Sequence, residues 1–175
     1  MASFRPEKET CPVCGRTGDC TSFASYDRYI VDFIGGKPSE AVVTVRRVKC
    51  SCGCSHAILP DPVIPYKTYS LFFILRVLFV YFRHTLSVPK ICERFCISPS
   101  TLYRWLTLFR EHRRLWLGVL NSLEQSCLDF LKSLAFTSPY SDFSRSFFLK
   151  TRLSFLQSHR DPTHSRRNAL FREPS

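Results

Sequence analysis

Two cysteine clusters, separated by one hairpin's length of chain, constrain this sequence more than any other feature. The first is CPVCG at residues 11–15, and the second is CSCGCSH at residues 50–56. Two thiolates three positions apart can both reach one ion at ~2.3 Å, because the intervening pair turns tightly and aims both sulfurs the same way. Gly15 lets the backbone pass the ion in a conformation costly for other residues. One such knuckle is half of a tetrahedral site, and the other half has to be brought to it. Residues 21–34 and 41–49 are rich in β-branched and aromatic side chains, with Gly35, Gly36 and Pro38 between them. That pattern predicts a hairpin whose second strand returns the second cluster to the first.

A second knuckle should mirror the first, with a cysteine followed by glycine. Cys52-Gly53 fits, with Cys50 as its partner, although Cys-x-Cys is one residue shorter than the usual spacing. The expected ligands are therefore Cys11, Cys14, Cys50 and Cys52. Cys54 is the main substitute and His56 a weaker one, while Cys20 would serve only if the first loop folded back. The ion expected for such a set is Zn2+ in a structural role, since four protein ligands leave no position for a water and hydrolysis is not implied. A region this small builds little core, and metal binding then supplies part of its folding energy. The plain alternative is a set of reduced structural cysteines without metal. Disulfides fit poorly, because nine cysteines is an odd count and MASFRPEKET holds no apolar stretch of a secretion signal. The expected setting is reducing and cytoplasmic. Cys92, Cys96 and Cys127 stand apart and read as small apolar residues.

After Pro60, Pro62 and Pro65 the period becomes helical. One helix is expected over residues 68–84, capped by Thr68 or Ser70. Ser87 opens a second, with Pro89 in its first turn, and residues 96–98 break it. Ser98 caps a third, with Pro99 at its first position, where proline is tolerated. A fourth is expected over residues 112–136. Residues 137–175, rich in serine and arginine, read as a basic, loosely ordered tail with room for one short helix near 145–157. The expected fold class is α+β, with a zinc-ribbon hairpin domain over residues 1–60 and an all-α domain over 66–136 that carries a helix-turn-helix at 87–110. The run YSLFFILRVLFVYF at 69–82 is shorter than the ~20 apolar residues of a spanning helix and contains Arg76, so a membrane span is not expected.

The net charge is +11, and from Arg83 onward fifteen Lys/Arg stand against seven Asp/Glu. Such a balance favours an anionic partner, nucleic acid first and an anionic membrane surface second. Residues 87–114 suggest how nucleic acid would be met. Ile91 and Phe95 make an apolar face on the first helix, and Ile97 plugs the turn. Leu102, Trp105, Leu106 and Phe109 continue that face at the i, i+3, i+4, i+7 spacing. The other face carries Ser100, Thr101, Tyr103, Arg104 and Thr107, with Ser98 at the cap. It suits a DNA major groove: Arg can donate to guanine, Ser and Thr can reach phosphates or bases, and the helix N-terminus favours a phosphate. Arg110, Arg113 and Arg114 extend the positive surface. The competing reading is a plain helical pair whose polar face is only solvated.

The order CPVCG, then a hairpin ending in RRVKCSCGCSHAILPD, then VPKICERFCISPSTLYRWL resembles the front end of bacterial insertion-sequence transposases. It is also similar to an uncharacterised bacterial domain-of-unknown-function family with the same layout, and the resemblance covers residues 8–115. In such transposases a zinc ribbon and a helix-turn-helix bind the element's terminal DNA, and a downstream domain cuts. By position, the resemblance assigns Cys11, Cys14, Cys50 and Cys52 to the ribbon ligands and residues 98–107 to the recognition helix. Two positions depart from the pattern. Cys96 stands where glycine is usual, at a cost of order 1 kcal/mol if it is left-handed, and Cys92 stands where alanine is usual.

An enzyme is not expected. A transposase nuclease needs three carboxylates around metal ions on a sizeable α/β domain. After residue 115 about 60 residues remain without strand–helix alternation, and Glu124, Asp129, Asp142, Asp161 and Glu173 sit in no recognisable motif. No glycine-rich phosphate loop is present. The expectation is a binding protein, a shortened relative of a transposase, with double-stranded DNA as its partner and no small-molecule substrate. Trp116, Leu120, Leu123, Cys127, Phe130 and Leu134 make one helical stripe, suited to packing within the chain or to a homodimer through residues 116–134. The other functional class is a zinc-stabilised protein-interaction module, membrane-peripheral through the apolar helix and basic tail.

Overall fold

The computed structural model describes residues 5–60, 62–136 and 140–158. β1 (Cys20–Ile34) and β2 (Lys37–Cys50) form one long antiparallel hairpin, and β3 (Ser55–Ile58) pairs with the other edge of β2. Gly35 and Gly36 both have positive φ, as a two-residue turn needs if it is to match the right-handed twist of its strands. The turn is tighter than expected, and Pro38 already lies in β2 opposite Phe33. It is tolerated there because β3 reaches only Arg46 to Lys49, so β2 is an edge strand at Pro38. β3 is an addition to the expected hairpin, since four residues are too few to display an alternation. The register brings Cys20 opposite Cys50, with an irregularity between Ser22 and Ala24.

Six helices follow among the described residues. α1 (Leu71–Phe82) begins at one of the two expected caps, where Ser70 Oγ accepts from the Phe73 N–H. The same hydroxyl donates to Asp32 Oδ1 at 2.9 Å, which ties the cap to β1. α2 (Val88–Phe95) and α3 (Pro99–Leu117) are joined by the three residues Cys96, Ile97 and Ser98. Cys96 is left-handed, at φ 50 and ψ 46. Ser98 Oγ accepts from the Thr101 N–H and so caps α3, with Pro99 in its first turn.

The C-terminal third differs from expectation in two places. A single helix over 112–136 does not form: α3 runs on to Leu117, Gly118 ends it at φ 81, and α4 (Val119–Glu124) and α5 (Cys127–Phe136) follow separately. The apolar stripe is divided with it. Phe130 is buried, whereas Leu120 and Leu123 are each 77% exposed. In place of the expected loosely ordered tail with room for one short helix near 145–157, residues 140–158 form a helix and turn packed on the core. α6 (Tyr140–Thr151) and the turn after it bury Phe143, Phe147, Phe155 and Leu156. Phenylalanines four apart on α6 provide the buried face, which a serine- and arginine-rich composition had masked. The rest of that segment, 159–175, lies outside the described residues.

Two sets of buried side chains result. The larger joins α1, α2, α3, α5 and α6 with the turn after α6, and Val31 and Phe33 of β1 pack against it. Phe33 meets Phe95 at 5.2 Å and Phe73 at 6.4 Å between ring centroids. The turn end of the hairpin is fixed to this body by polar bonds as well. Val31 exchanges backbone hydrogen bonds with Thr68 and Ser70, and Arg28 donates to the carbonyls of Ile64 and Lys67. The smaller set, Cys11, Cys20, Val48 and Cys50, sits at the other end of the hairpin. No helix among the described residues is long and apolar enough to cross a membrane.

Candidate functional site

Each cysteine loop is closed by its own backbone. Gly15 N–H donates to Cys11 O and Cys11 N–H to Arg16 O, both at 2.9 Å. After β2, Gly53 N–H donates to Cys50 O at 2.9 Å and Cys50 N–H to Cys54 O at 2.8 Å. Gly15 and Gly53 hold φ of 73° and 86°, a region where a side chain is strained. That tight second turn closes the Cys50–Cys52 spacing. Asp19 ties the loops together, accepting from the Ser51 hydroxyl at 3.2 Å and from Arg16 at 3.3 Å. Nothing in the sequence pattern singles out Asp19.

The four expected sulfurs converge. Cys11 Sγ lies 3.7 Å from Cys52 Sγ, and Cys14 Sγ lies 3.6 Å from Cys50 Sγ. All four lie within 4.8 Å of one another. Thiolates placed tetrahedrally at ~2.3 Å from an ion stand ~3.8 Å apart. The four cysteines are thus close enough to hold one metal ion. Cys11 and Cys50 are buried and Cys14 and Cys52 exposed, so the ion position lies at the edge of the small core. Cys20 is buried beside them but outside this ligand group. Cys54 and His56 form a different group with Cys11, also within 4.8 Å.

The thiols differ in acidity. Burial raises Cys11, but the N–H groups of Cys14 and Val13 and the thiols of Cys14 and Cys52 outweigh it and bring it to about 6. Cys50 is lowered as well, chiefly by the Cys52 N–H. At Cys52 the Cys54 N–H favours the thiolate, yet burial and the thiols of Cys50, Cys14 and Cys11 push it up to about 12. Thiolates therefore form readily at Cys11 and Cys50, while Cys52 resists adding another negative charge beside them. A cation among the sulfurs removes that resistance.

α3 presents the second candidate surface. Leu102, Trp105, Leu106 and Phe109 are buried against the helical body. Ser98, Ser100, Tyr103, Arg104, Thr107, Arg110 and Arg114 are exposed, and Thr101 is half-buried. The Ser98 hydroxyl is bonded to those of Ser100 and Thr101, each at 2.9 Å, around the cap. Thr107 Oγ1 donates to Tyr103 O at 3.0 Å. Arg104, Arg110 and Arg114 form no ion pair among the described residues. Arg113 is different: it is half-buried and donates to the carbonyls of Ser122 and Gln125, both at 2.8 Å. It fastens the end of α4 to α3 and does not share the open face.

Among known proteins, residues 11–105 match the family described as Domain of unknown function (DUF6431). The match opens on the first cysteine of the cluster and closes at Trp105 on α3, so it takes in the four-cysteine group and the first part of the α3 surface, up to Arg104, but not Thr107, Arg110 or Arg114. No curated protein and no solved structure matches the chain.

Proposed function

The chain belongs to the DUF6431 family, and on that premise we propose that it is a zinc-containing DNA-binding protein of mobile-element, transposase-like origin. The observation that carries this reading is the exposed face of α3. One side of the helix is locked in the core by Leu102, Trp105, Leu106 and Phe109, while the other offers Ser100, Tyr103, Arg104 and Thr107 to solvent. In this reading α2, the turn at Cys96 and α3 act as a helix-turn-helix. Arg104 and Tyr103 reach base edges, Ser98, Ser100 and Thr101 meet a phosphate at the helix N-terminus, and Arg110 and Arg114 follow the backbone. Zn2+ at Cys11, Cys14, Cys50 and Cys52 is structural and holds the hairpin's end together. The likeness to insertion-sequence transposases in motif order supports the origin.

The test is fluorescence anisotropy of labelled duplex DNA titrated with the zinc-loaded protein at several salt concentrations. Affinity should fall linearly with salt on logarithmic axes, because phosphate contacts release counterions. Arg104→Ala should cost ~1–3 kcal/mol of discrimination at one base position. Absence of binding at low salt, with zinc bound, sinks the reading.

A second reading has its own observation. Val119, Leu120 and Leu123 on α4 are largely exposed, an apolar group that a protein partner or a second copy of the chain could cover. A zinc-stabilised interaction module of this kind binds no duplex, and its association is abolished by Leu120→Ser with Leu123→Ser in sedimentation velocity.

A further inference from the structure

We propose that the cysteine cluster takes a second thiophilic divalent ion, Zn2+, bridged to the first through the Cys11 thiolate and held by Cys54 and His56. The inference rests on the reading of Cys11, Cys14, Cys50 and Cys52 as the first zinc site. Its geometric basis is two ligand groups that share one sulfur. Cys11 belongs to the four-cysteine group and also to a group with Cys54 and His56, and in each the ligand atoms lie within 4.8 Å of one another. Cys11 is fully buried between them, where a sulfur bridging two ions would have to be. A closure of at most about 1.3 Å brings the second group to the ~3.5–3.8 Å ligand separations of a zinc ion with two sulfur donors and one nitrogen donor.

The same backbone that shapes the first site positions the second. Cys54 O accepts the Cys50 N–H at 2.8 Å, and His56 on β3 stands opposite Val48, which is buried in the small core. The donor set is also suitable, since thiolate and imidazole are both ligands that zinc prefers. Charge favours the second ion. A divalent ion with four thiolates keeps two formal negative charges. A second divalent ion that brings only the Cys54 thiolate and a neutral imidazole leaves one. Cys54 and His56 are half-buried, so the ion can enter from solvent. Three protein ligands leave its fourth position to a water or an external donor, which sets it apart from the closed first site.

The competing explanation is that Cys54 and His56 only pack against the small core, which Cys54 does. Metal stoichiometry separates the two. The full chain, saturated with Zn2+ and desalted, would be weighed by native mass spectrometry beside Cys54→Ser and His56→Asn. Two zinc ions per wild-type chain and one in each variant, with unchanged far-UV circular dichroism, is the expected result. With Co2+, the sulfur-to-metal charge-transfer band should keep growing through a second equivalent in the wild type and stop after the first in the variants. One zinc in the wild type overturns the proposal and leaves the four-cysteine site standing. Two in the variants also overturns it, because the second ion then lies elsewhere. No zinc in the wild type overturns both. His56→Asn alone suffices if Cys54→Ser fails to fold.

Discussion

Cys96 holds a left-handed backbone at φ 50 between α2 and α3, where an L-residue with a side chain is strained. Its amide closes the end of α2 by donating to Glu93 O, and Ile97 N–H donates to Cys92 O. The turn is thus formed in spite of the residue that makes it. Cys96→Gly should raise stability by about 1 kcal/mol, read as a shift in the urea midpoint at unchanged slope. A loss of stability would mean that the exposed thiol contributes a contact that outweighs the strain. Two arginines on α3 give the complementary contrast. Arg113→Ala removes two bonds from a charged donor to carbonyls and should cost roughly 2 kcal/mol of stability, with little effect on the salt dependence of duplex binding. Arg104→Ala should do the reverse. Charge alone ranks these two side chains together, because both are arginines on one helix. Helical periodicity separates them: nine residues turn the helix by about 180°, so Arg113 falls on the side of Leu106 and Phe109, where the Ser122 and Gln125 carbonyls accept its guanidinium.

At the level of elements, the hairpin is held at both ends by different chemistry. Its turn end rests on hydrogen bonds from Arg28 and Val31 and on Phe33 in the aromatic core. Among the described residues, the buried cluster at its cysteine end is Cys11, Cys20, Val48 and Cys50, too small to hold three strands without help. Chelating the metal should therefore abolish amide protection over residues 11–20 and 48–58 and leave it over residues 28–34, as hydrogen exchange with mass spectrometry would report. Uniform loss across the hairpin would show that the two ends are one cooperative unit. This division was legible in outline. The knuckle spacing, the paired glycines at the turn and the Ser–Pro helix starts each have a local cause that the sequence displays. β3 was not legible, because its four residues gain their structure from pairing with Arg46 to Lys49 and not from any pattern of their own. The fourth helix is split at Gly118 and again at Gln125, whose extended backbone hands over to the Ser126 cap of α5, both inside an otherwise continuous apolar spacing.

On the scale of the whole molecule, the residues after α6 complete the core behind α3. Phe155 lies 5.2 Å from Phe147, 5.1 Å from Phe143 and 6.3 Å from Phe109 between ring centroids. Beside it, Leu156 N–H donates to Nδ1 of the buried His112 at 2.9 Å, so the chain's last described turn is fastened to the middle of α3. A fold closed this late in its sequence depends on a segment whose composition looks dispensable. Phe155→Ala should cost ~3–5 kcal/mol, a large part of the ~5–15 kcal/mol that holds a domain of ordinary stability together. Phe148→Ala, on the exposed side of α6, should cost well under that, and equal losses for the two would contradict the packing described. Because Phe109 and His112 are buried while Tyr103 and Arg104 are exposed, loosening this core withdraws support from the proposed DNA-contacting face without touching it. Phe155→Ala should then lower the temperature at which duplex binding is lost and leave the affinity of the folded protein in the cold unchanged. Parallel thermal melts and anisotropy titrations distinguish that outcome from a direct role of the segment in binding, which would weaken affinity at every temperature.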